Sequence, residues 1–123
     1  MKDLFIKGTE DSPEVVYNPR THELVFTGRS LQEDPRAFYL VIIEWIKANI
    51  VGKNIPLHLK FKVDYFNSSS SRYLMKILLL LDQEPENCQM TWYVEEGDEV
   101  IEEKGQEFKK ILSFPVKIVM YQS

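Results

Sequence analysis

The sequence predicts an α/β fold of two layers, with a mixed sheet of about six strands and three main helices largely on one face. Three segments alternate apolar and polar residues with a period of two, which is typical of strands with one buried face: 55–65, 90–94 and 116–121. Helical runs lie between these segments. This order of strands and helices predicts right-handed crossovers and parallel pairing between the later strands.

The first part of the chain supplies the other strands and the first helix. Short segments at 4–6, 15–17 and 23–27 predict three strands, the last two forming a hairpin that ends at Gly28. Residues 30–34 are expected to form a polar loop. Asp34 is the predicted N-cap of the first helix, Pro35 its first residue and Gly52 the stop after its last turn.

Two further helices are predicted between the later strands. One spans about 68–83, where Pro85 forbids further extension, and the other spans about 98–112, before Pro115. Gly105 interrupts the last helix at a cost of about 1 kcal/mol relative to alanine.

Length and charge restrict the class of protein. With 123 residues and a net charge of −4, the chain fits one globular domain, 1–123, and the negative charge argues against nucleic acid as a partner. No secretory signal is visible, and the longest apolar run, 77–81, is too short for membrane insertion. The single cysteine, Cys88, excludes an internal disulfide and fits a reducing cytoplasm.

The negative charge is concentrated between residues 95 and 107. This segment holds seven acidic residues and one base, Lys104, so it sums to −6 and leaves +2 for the rest of the chain. Two interpretations stay open, a solvated helix face or an acidic docking surface for a partner.

Patterns for catalysis, metals or cofactors are not apparent. The two histidines, His22 and His58, do not stand near Cys88 or a carboxylate at ligand spacing, and the five glycines form no phosphate-binding loop. We therefore predict no metal, no cofactor and no catalytic residue. A small serine hydrolase is the enzymatic alternative, and it requires a histidine within hydrogen-bond reach of a serine in 68–71.

The serines at 68–71 are the most unusual feature of the sequence. They follow a strand that ends at Phe66 and open an apolar helical run. One interpretation is structural, because serine is a favoured N-cap and turn residue. The other is a phosphorylation switch, because the start of a helix attracts negative charge and Arg72, one turn beyond Ser68, is within reach of a phosphate.

Residues 65–72, Tyr-Phe-Asn-Ser-Ser-Ser-Ser-Arg, closely resemble the signature of the SiaC family of bacterial regulatory phosphoproteins. The resemblance covers nearly the whole chain, and its other matching positions are Ser12, Pro13, Gly28, Ser30, Phe38, Tyr39, Trp92, Tyr93, Asp98 and Gly105. It implies a STAS-like fold similar to that of anti-sigma factor antagonists. It also implies partner switching in c-di-GMP and biofilm signalling. In the switch that the resemblance implies, a dedicated kinase phosphorylates the protein, a PP2C-type phosphatase reverses this, and the unmodified form binds and stimulates a diguanylate cyclase.

Carried over by position, the resemblance assigns the phosphoacceptor to Ser68, with Ser69 and Ser70 as alternates. The residues around the phosphosite are then Tyr65, Asn67, Ser69, Ser70 and Arg72. The family residue expected at position 68 is threonine, so this chain departs by one methyl group. Residues 30–34 read Ser-Leu-Gln-Glu-Asp, whereas the family loop tends to read Ser-Tyr-Pro-Glu-Asn. The identity of the effector is therefore the implication of the resemblance that transfers least well to this chain. An anti-sigma factor or another kinase is an alternative to the cyclase.

A constitutive interaction module is the remaining alternative. It would bind a partner through the open face of the sheet, whose polar and aromatic positions are Lys60, Lys62, Thr91, Tyr93, Lys117 and Tyr121. Such a module would carry no phosphate in its host under any growth condition.

Overall fold

The computed structural model describes residues 3–122. Its six-stranded sheet has the strands in chain order: β1 Leu4–Ile6, β2 Glu14–Asn18, β3 Glu23–Ser30, β4 Leu57–Phe66, β5 Cys88–Glu95 and β6 Val116–Tyr121. The first three strands pair antiparallel, and β3 to β6 pair parallel. The helices in the parallel crossovers are α1 Arg36–Asn49, α2 Ser68–Leu81 and α3 Glu99–Ile111, and a short 3₁₀ turn, Pro85–Asn87, precedes β5. The predicted α/β, STAS-like fold is confirmed.

The three helices cover one face of the sheet. Each right-handed crossover advances by one strand in the same direction, which places all three helices on the same side. Facing them, Phe26, Phe61 and Trp92 are at most 1% exposed. Lys62 and Lys117, on the other face, are exposed. The core therefore lies between the sheet and the helix layer, and the opposite face of the sheet stays largely open.

Strand β3 continues beyond Gly28, so the prediction that it ends there was wrong. Gly28 has a φ of 121°, and the pairing of β3 with β4 shifts register between Gly28 and Arg29. Glycine adopts this conformation without steric cost and permits such a bulge inside a strand. Ser30 is consequently the last residue of β3, fully buried, and not the start of a polar loop.

The N-cap of the first helix is displaced by one residue from its predicted position. Pro35 is the N-cap of α1, although Asp34 Oδ1 still accepts a hydrogen bond from the Arg36 N–H at 3.3 Å. Gly52, with a φ of 76°, lies in the turn that follows α1, as predicted. The start of α3 matches the expected position, with Asp98 as its N-cap.

Helix α3 runs without interruption through Gly105, contrary to the prediction. Gly105 is buried against β5, where an added Cβ atom would lie 2.7 Å from Trp92 Nε1. Trp92 Nε1 donates a hydrogen bond to the Ile101 carbonyl at 2.9 Å. Glycine therefore serves a packing role here, because it lets the backbone of α3 approach the indole ring.

Candidate functional site

The four serines of 68–71 begin α2, but their exposure to solvent differs. Ser68 is the first residue of α2 and is exposed, whereas Ser69 and Ser71 are half-buried. Ser70 is completely buried. A modifying enzyme therefore reaches the hydroxyl of Ser68 more directly than the other three.

The cap of α2 is Asn67, and none of the serines has this role. Asn67 Oδ1 accepts a hydrogen bond from the Ser70 N–H at 2.9 Å. Asn67 also donates its backbone N–H to the Ser30 carbonyl at 3.1 Å and its Nδ2 to the Gln32 carbonyl at 3.0 Å. The interpretation of the serine run as a capping element is thus wrong, and the Ser68 hydroxyl is not needed to begin the helix.

Ser70 belongs to a buried hydroxyl network centred on Ser30. Ser30 Oγ lies 2.8 Å from Ser70 Oγ and 2.7 Å from both Tyr39 OH and Gln32 Oε1. Burial raises the pKa of Tyr39, so its phenol stays protonated and remains a hydrogen-bond donor. The network joins the end of β3, the start of α1 and the start of α2. The sequence did not predict it, although Ser30 was among the positions matching the family.

Ser68 opens onto a shallow groove between α2 and α3. The groove has a volume of about 490 Å³ and contains two basic side chains, Arg72 of α2 and Lys104 of α3. Its other lining residues are Phe66, Asn67, Ser71, Met75, Glu107 and Phe108. Sequence reasoning found Arg72 but missed Lys104. The available signal was that Lys104 is the one base in a segment of seven acids.

Ser69 faces a different and smaller groove on the other side of Arg72. This groove, of about 240 Å³, is lined by two acids, Glu33 and Asp34, and by the basic residues Arg72 and Lys76. Its other lining residues are Pro35 and Tyr73. A phosphate on Ser69 would therefore meet two carboxylates, whereas the groove beside Ser68 contains only Glu107.

Tyr65 lies away from the Ser68 groove, although the resemblance counts it in the surround. It is 55% exposed and shares a separate groove with Arg29, Leu31 and Asp64. Phe66, and not Tyr65, packs against the core. The ring centroid of Phe66 lies 6.0 Å from that of Trp92. The predicted alternation of buried residues in this strand is confirmed as far as Val63 and is wrong at Tyr65.

The two histidines of the chain lie at the opposite end of the sheet from the serines. The His58 N–H donates a hydrogen bond to the His22 carbonyl at 2.9 Å, so His22, just before β3, lies beside the start of β4. The strand from His58 to Phe66 spans about 26 Å at a rise of roughly 3.3 Å per residue. Neither imidazole reaches a serine of 68–71, which removes the base that a serine hydrolase requires.

Residues 3–122 contain no group of three or more histidine, cysteine or acidic side chains that is able to hold a metal ion. Among these residues, no helix combines the length and the apolar character needed to cross a membrane.

The fold and the site define a two-layer α/β domain that exposes a serine at the start of a helix. The family model for SiaC family regulatory phosphoproteins matches residues 6–121, and the chain belongs to this family. An uncharacterized protein of Pseudomonas aeruginosa (strain UCBPP-PA14) is 28% identical over 121 residues, which are 96% of each chain.

Two solved structures from Pseudomonas aeruginosa resemble the fold closely. Apo-SiaC has a TM-score of 0.86 and 28% identity, covering 97% of this chain and 99% of that chain. SiaC in its complex with the diguanylate cyclase SiaD, which it activates, has a TM-score of 0.89 and 28% identity, covering 97% of this chain and all of that one.

Proposed function

We propose that this protein is a non-enzymatic, cytoplasmic partner switch whose state is set by phosphorylation of Ser68. In its unmodified form it binds and activates a diguanylate cyclase, and phosphate on Ser68 prevents this binding. The complex of SiaD with its activator SiaC supports the choice of effector, because that SiaC has the same fold over nearly its whole length. The observation that carries the choice of site is the exposed Ser68 hydroxyl beside Arg72 and Lys104.

The three candidate serines differ in what would surround a phosphate. Ser70 is buried in the Ser30 network, so its modification would require α2 to separate from β3. Ser69 faces a groove in which the carboxylates of Glu33 and Asp34 offset the basic side chains of Arg72 and Lys76 and repel a phosphate. Ser68 is exposed, and two basic side chains line its groove. These differences favour Ser68 over both alternates.

Phosphorylation of Ser68 transfers a phosphoryl group from a nucleoside triphosphate. The hydroxyl oxygen of Ser68 bonds to the γ-phosphorus, the bond from that phosphorus to the β-phosphate oxygen breaks, and the hydroxyl proton passes to a base of the cognate kinase. The phosphoserine carries nearly two negative charges at the start of α2. A PP2C-type phosphatase then directs water to the phosphorus, the bond from that phosphorus to the serine oxygen breaks, the serine oxygen takes up a proton, and inorganic phosphate leaves.

The segment at 31–35 is the part of the surface that we expect to determine which effector this chain binds. Asn67 is bonded to the Gln32 carbonyl, so the segment is fixed directly beside the phosphosite. It also carries the main departure from the expected family loop. We propose that the cyclase recognised by this chain contacts the segment, and that cyclases of other hosts bind it less well. If no cyclase from the same host binds the unmodified protein, an anti-sigma factor is the alternative effector.

The switch is tested by binding measurements on modified and unmodified protein. Unmodified wild type and Ser68→Ala should bind the host's cyclase with equal affinity and stimulate it equally. After incubation with the cognate kinase and ATP, the wild type should bind at least about tenfold more weakly, which corresponds to about 1.4 kcal/mol. Titration calorimetry gives the affinities, and chromatography of c-di-GMP gives the stimulation.

Ser69→Ala is the matched control, since it removes a neighbouring hydroxyl and leaves Ser68 in place. It should respond to the kinase as the wild type does, and the phosphatase should restore binding in both. Equal affinities of phosphorylated and unmodified protein would contradict the proposal and favour a constitutive interaction module.

A further inference from the structure

The groove between α2 and α3 suggests how the protein itself responds to a phosphate on Ser68. We infer that Lys104 and Arg72 together form the receptor for a phosphate on Ser68, so that phosphorylation links α2 to α3. This inference rests on the proposed function only for the choice of Ser68 as the modified residue. It concerns what the phosphate does within the protein and is independent of any effector.

Arg72 reaches the phosphate from the same helix. It follows Ser68 by four residues, so the two side chains share one face of α2 with their Cβ atoms about 5–6 Å apart. Side chains in a helix lean toward its N-terminus, which directs the guanidinium back toward Ser68. Arg72 is exposed, and none of the ion pairs among residues 3–122 includes it.

Lys104 reaches the phosphate from the facing helix. It is about two-thirds buried, and its Nζ lies 3.6 Å from Glu107 Oε2 in the same groove. A phosphoserine dianion carries nearly two charges and three acceptor oxygens, whereas the Glu107 carboxylate carries one charge and two oxygens. Lys104 therefore exchanges Glu107 for the phosphate, and the ammonium group then joins α3 to α2.

The apolar lining of the groove strengthens this attraction. Phe66, Met75 and Phe108 line it together with the charged residues. Apolar walls keep water from part of the surface around an ion pair, and the lower effective dielectric increases the attraction between opposite charges. The Ser69 groove also has apolar lining, from Pro35 and Tyr73, but its two acids offset its two bases, so it offers no equivalent receptor.

A ³¹P NMR titration of the full chain, made with phosphoserine at position 68, tests the receptor. An exposed phosphoserine has a second pKa of about 6. Two cations in contact with the dianion should lower that pKa by about half a unit or more. Lys104→Gln and Arg72→Gln should each raise it toward 6, and Glu107→Gln should lower it further because it removes the competing carboxylate.

Lys110→Gln is the matched control, because Lys110 lies on the same helix but is exposed and outside the groove. It removes the same charge and should leave the phosphate pKa unchanged. An unchanged pKa in Lys104→Gln, or an equal shift in Lys104→Gln and Lys110→Gln, would overturn the receptor. Because the phosphate is built in and the effector is absent, a failed effector switch leaves this result unaffected, and a failed receptor leaves the effector switch unaffected.

Discussion

The two ends of the parallel strands carry grooves of similar size but different chemistry. At the carboxyl ends, the groove beside Ser68 has a volume of about 490 Å³ and contains Arg72 and Lys104. At the amino ends, a groove of about 460 Å³ contains His58 and Cys88. The second set would be the more usual one for catalysis. The thiol of Cys88, however, is held in its protonated form, which is a poor nucleophile.

The environment of each side chain explains this difference. Burial, with a smaller contribution from Lys60, lowers the pKa of His58, so its imidazole is neutral at physiological pH. Burial and nearby carboxylates raise the pKa of Cys88 to about 11, so its thiol stays protonated. The carboxyl end instead holds the start of α2, where backbone N–H groups are unsatisfied and favour negative charge. The polarity of the helices therefore distinguishes the two ends better than groove volume does.

The largest predicted change in stability comes from disturbing the packing of α3 against Trp92. Gly105→Ala should lower the free energy of unfolding by about 2 kcal/mol, because the new methyl group would overlap the indole of Trp92 in a packed core. On helix propensity alone the same change would stabilise by about 1 kcal/mol. Urea denaturation followed by circular dichroism measures the difference.

Gln106→Ala, at the exposed neighbouring position, is the comparison for this variant and should stay within about 0.5 kcal/mol of the wild type. If Gly105→Ala is as stable as the wild type, the close approach of α3 to Trp92 is not a constraint on the groove.

A smaller effect is expected from the hydroxyl network beneath the phosphosite. Ser30→Ala should lower the free energy of unfolding by about 1 kcal/mol, because Ser70 Oγ and Tyr39 OH lose a buried partner. Ser30→Ala combined with Ser70→Ala should cost less than the sum of the two single changes. Chemical denaturation of the four proteins of this cycle gives the coupling.

Ser69→Ala supplies the reference, since its hydroxyl makes no bond in this network. Strict additivity of the two single changes would mean that β3 and α2 are not coupled through Ser30.

The smallest predicted effect is a change in the pH dependence of stability, caused by His58 at the amino ends of the parallel strands. Because the pKa of His58 is lower in the folded protein than in the unfolded chain, the unfolded chain takes up the proton first as pH falls. The stability contributed by neutral His58 is therefore present above about pH 6.5 and is lost below it. His58→Gln should flatten the decline in melting temperature between pH 7.5 and pH 5.5.

Burial is the main cause of the lowered pKa of His58, and the charges around this residue partly offset each other. Lys60 lowers the pKa of His58 and Glu23 raises it, while Lys60 Nζ and Glu23 Oε2 are themselves paired at 2.7 Å. Lys62→Gln, exposed on the same strand, should retain the wild-type slope. Parallel melting curves for His58→Gln and wild type across this range would show that His58 does not titrate with unfolding.

The sequence predicted the elements and the start of α2 at Ser68 because both follow from local patterns. Alternation along β4 and the apolar helical run after the serines act over a few residues. The arrangements that complete the site join residues distant in the chain: Ser30 contacts Ser70, Gly105 packs against Trp92, and Ser68 and Lys104 line the same groove. Each depends on how the helices dock on the sheet, which periodicity does not specify.

The wrong predictions have the same origin. Gly28 was interpreted as the end of a strand, because glycine often ends strands. Pairing with β4 carries β3 onward through a bulge to Ser30. Gly105 was interpreted as a helix interruption, because propensity alone disfavours glycine. Its packing against Trp92 outweighs that preference. In both cases a tertiary contact overrides the local tendency.

The chain order of the strands has a consequence for folding during synthesis. In the described sheet, each strand pairs with the one made just before it, so none is inserted between two strands that are already paired. Pairings of this kind allow the sheet to grow strand by strand as the chain emerges from the ribosome. Ser68 emerges before Lys104, so the groove between α2 and α3 acquires its second wall only when α3 docks. The receptor side of the phosphosite is therefore among the last parts of the molecule to be assembled.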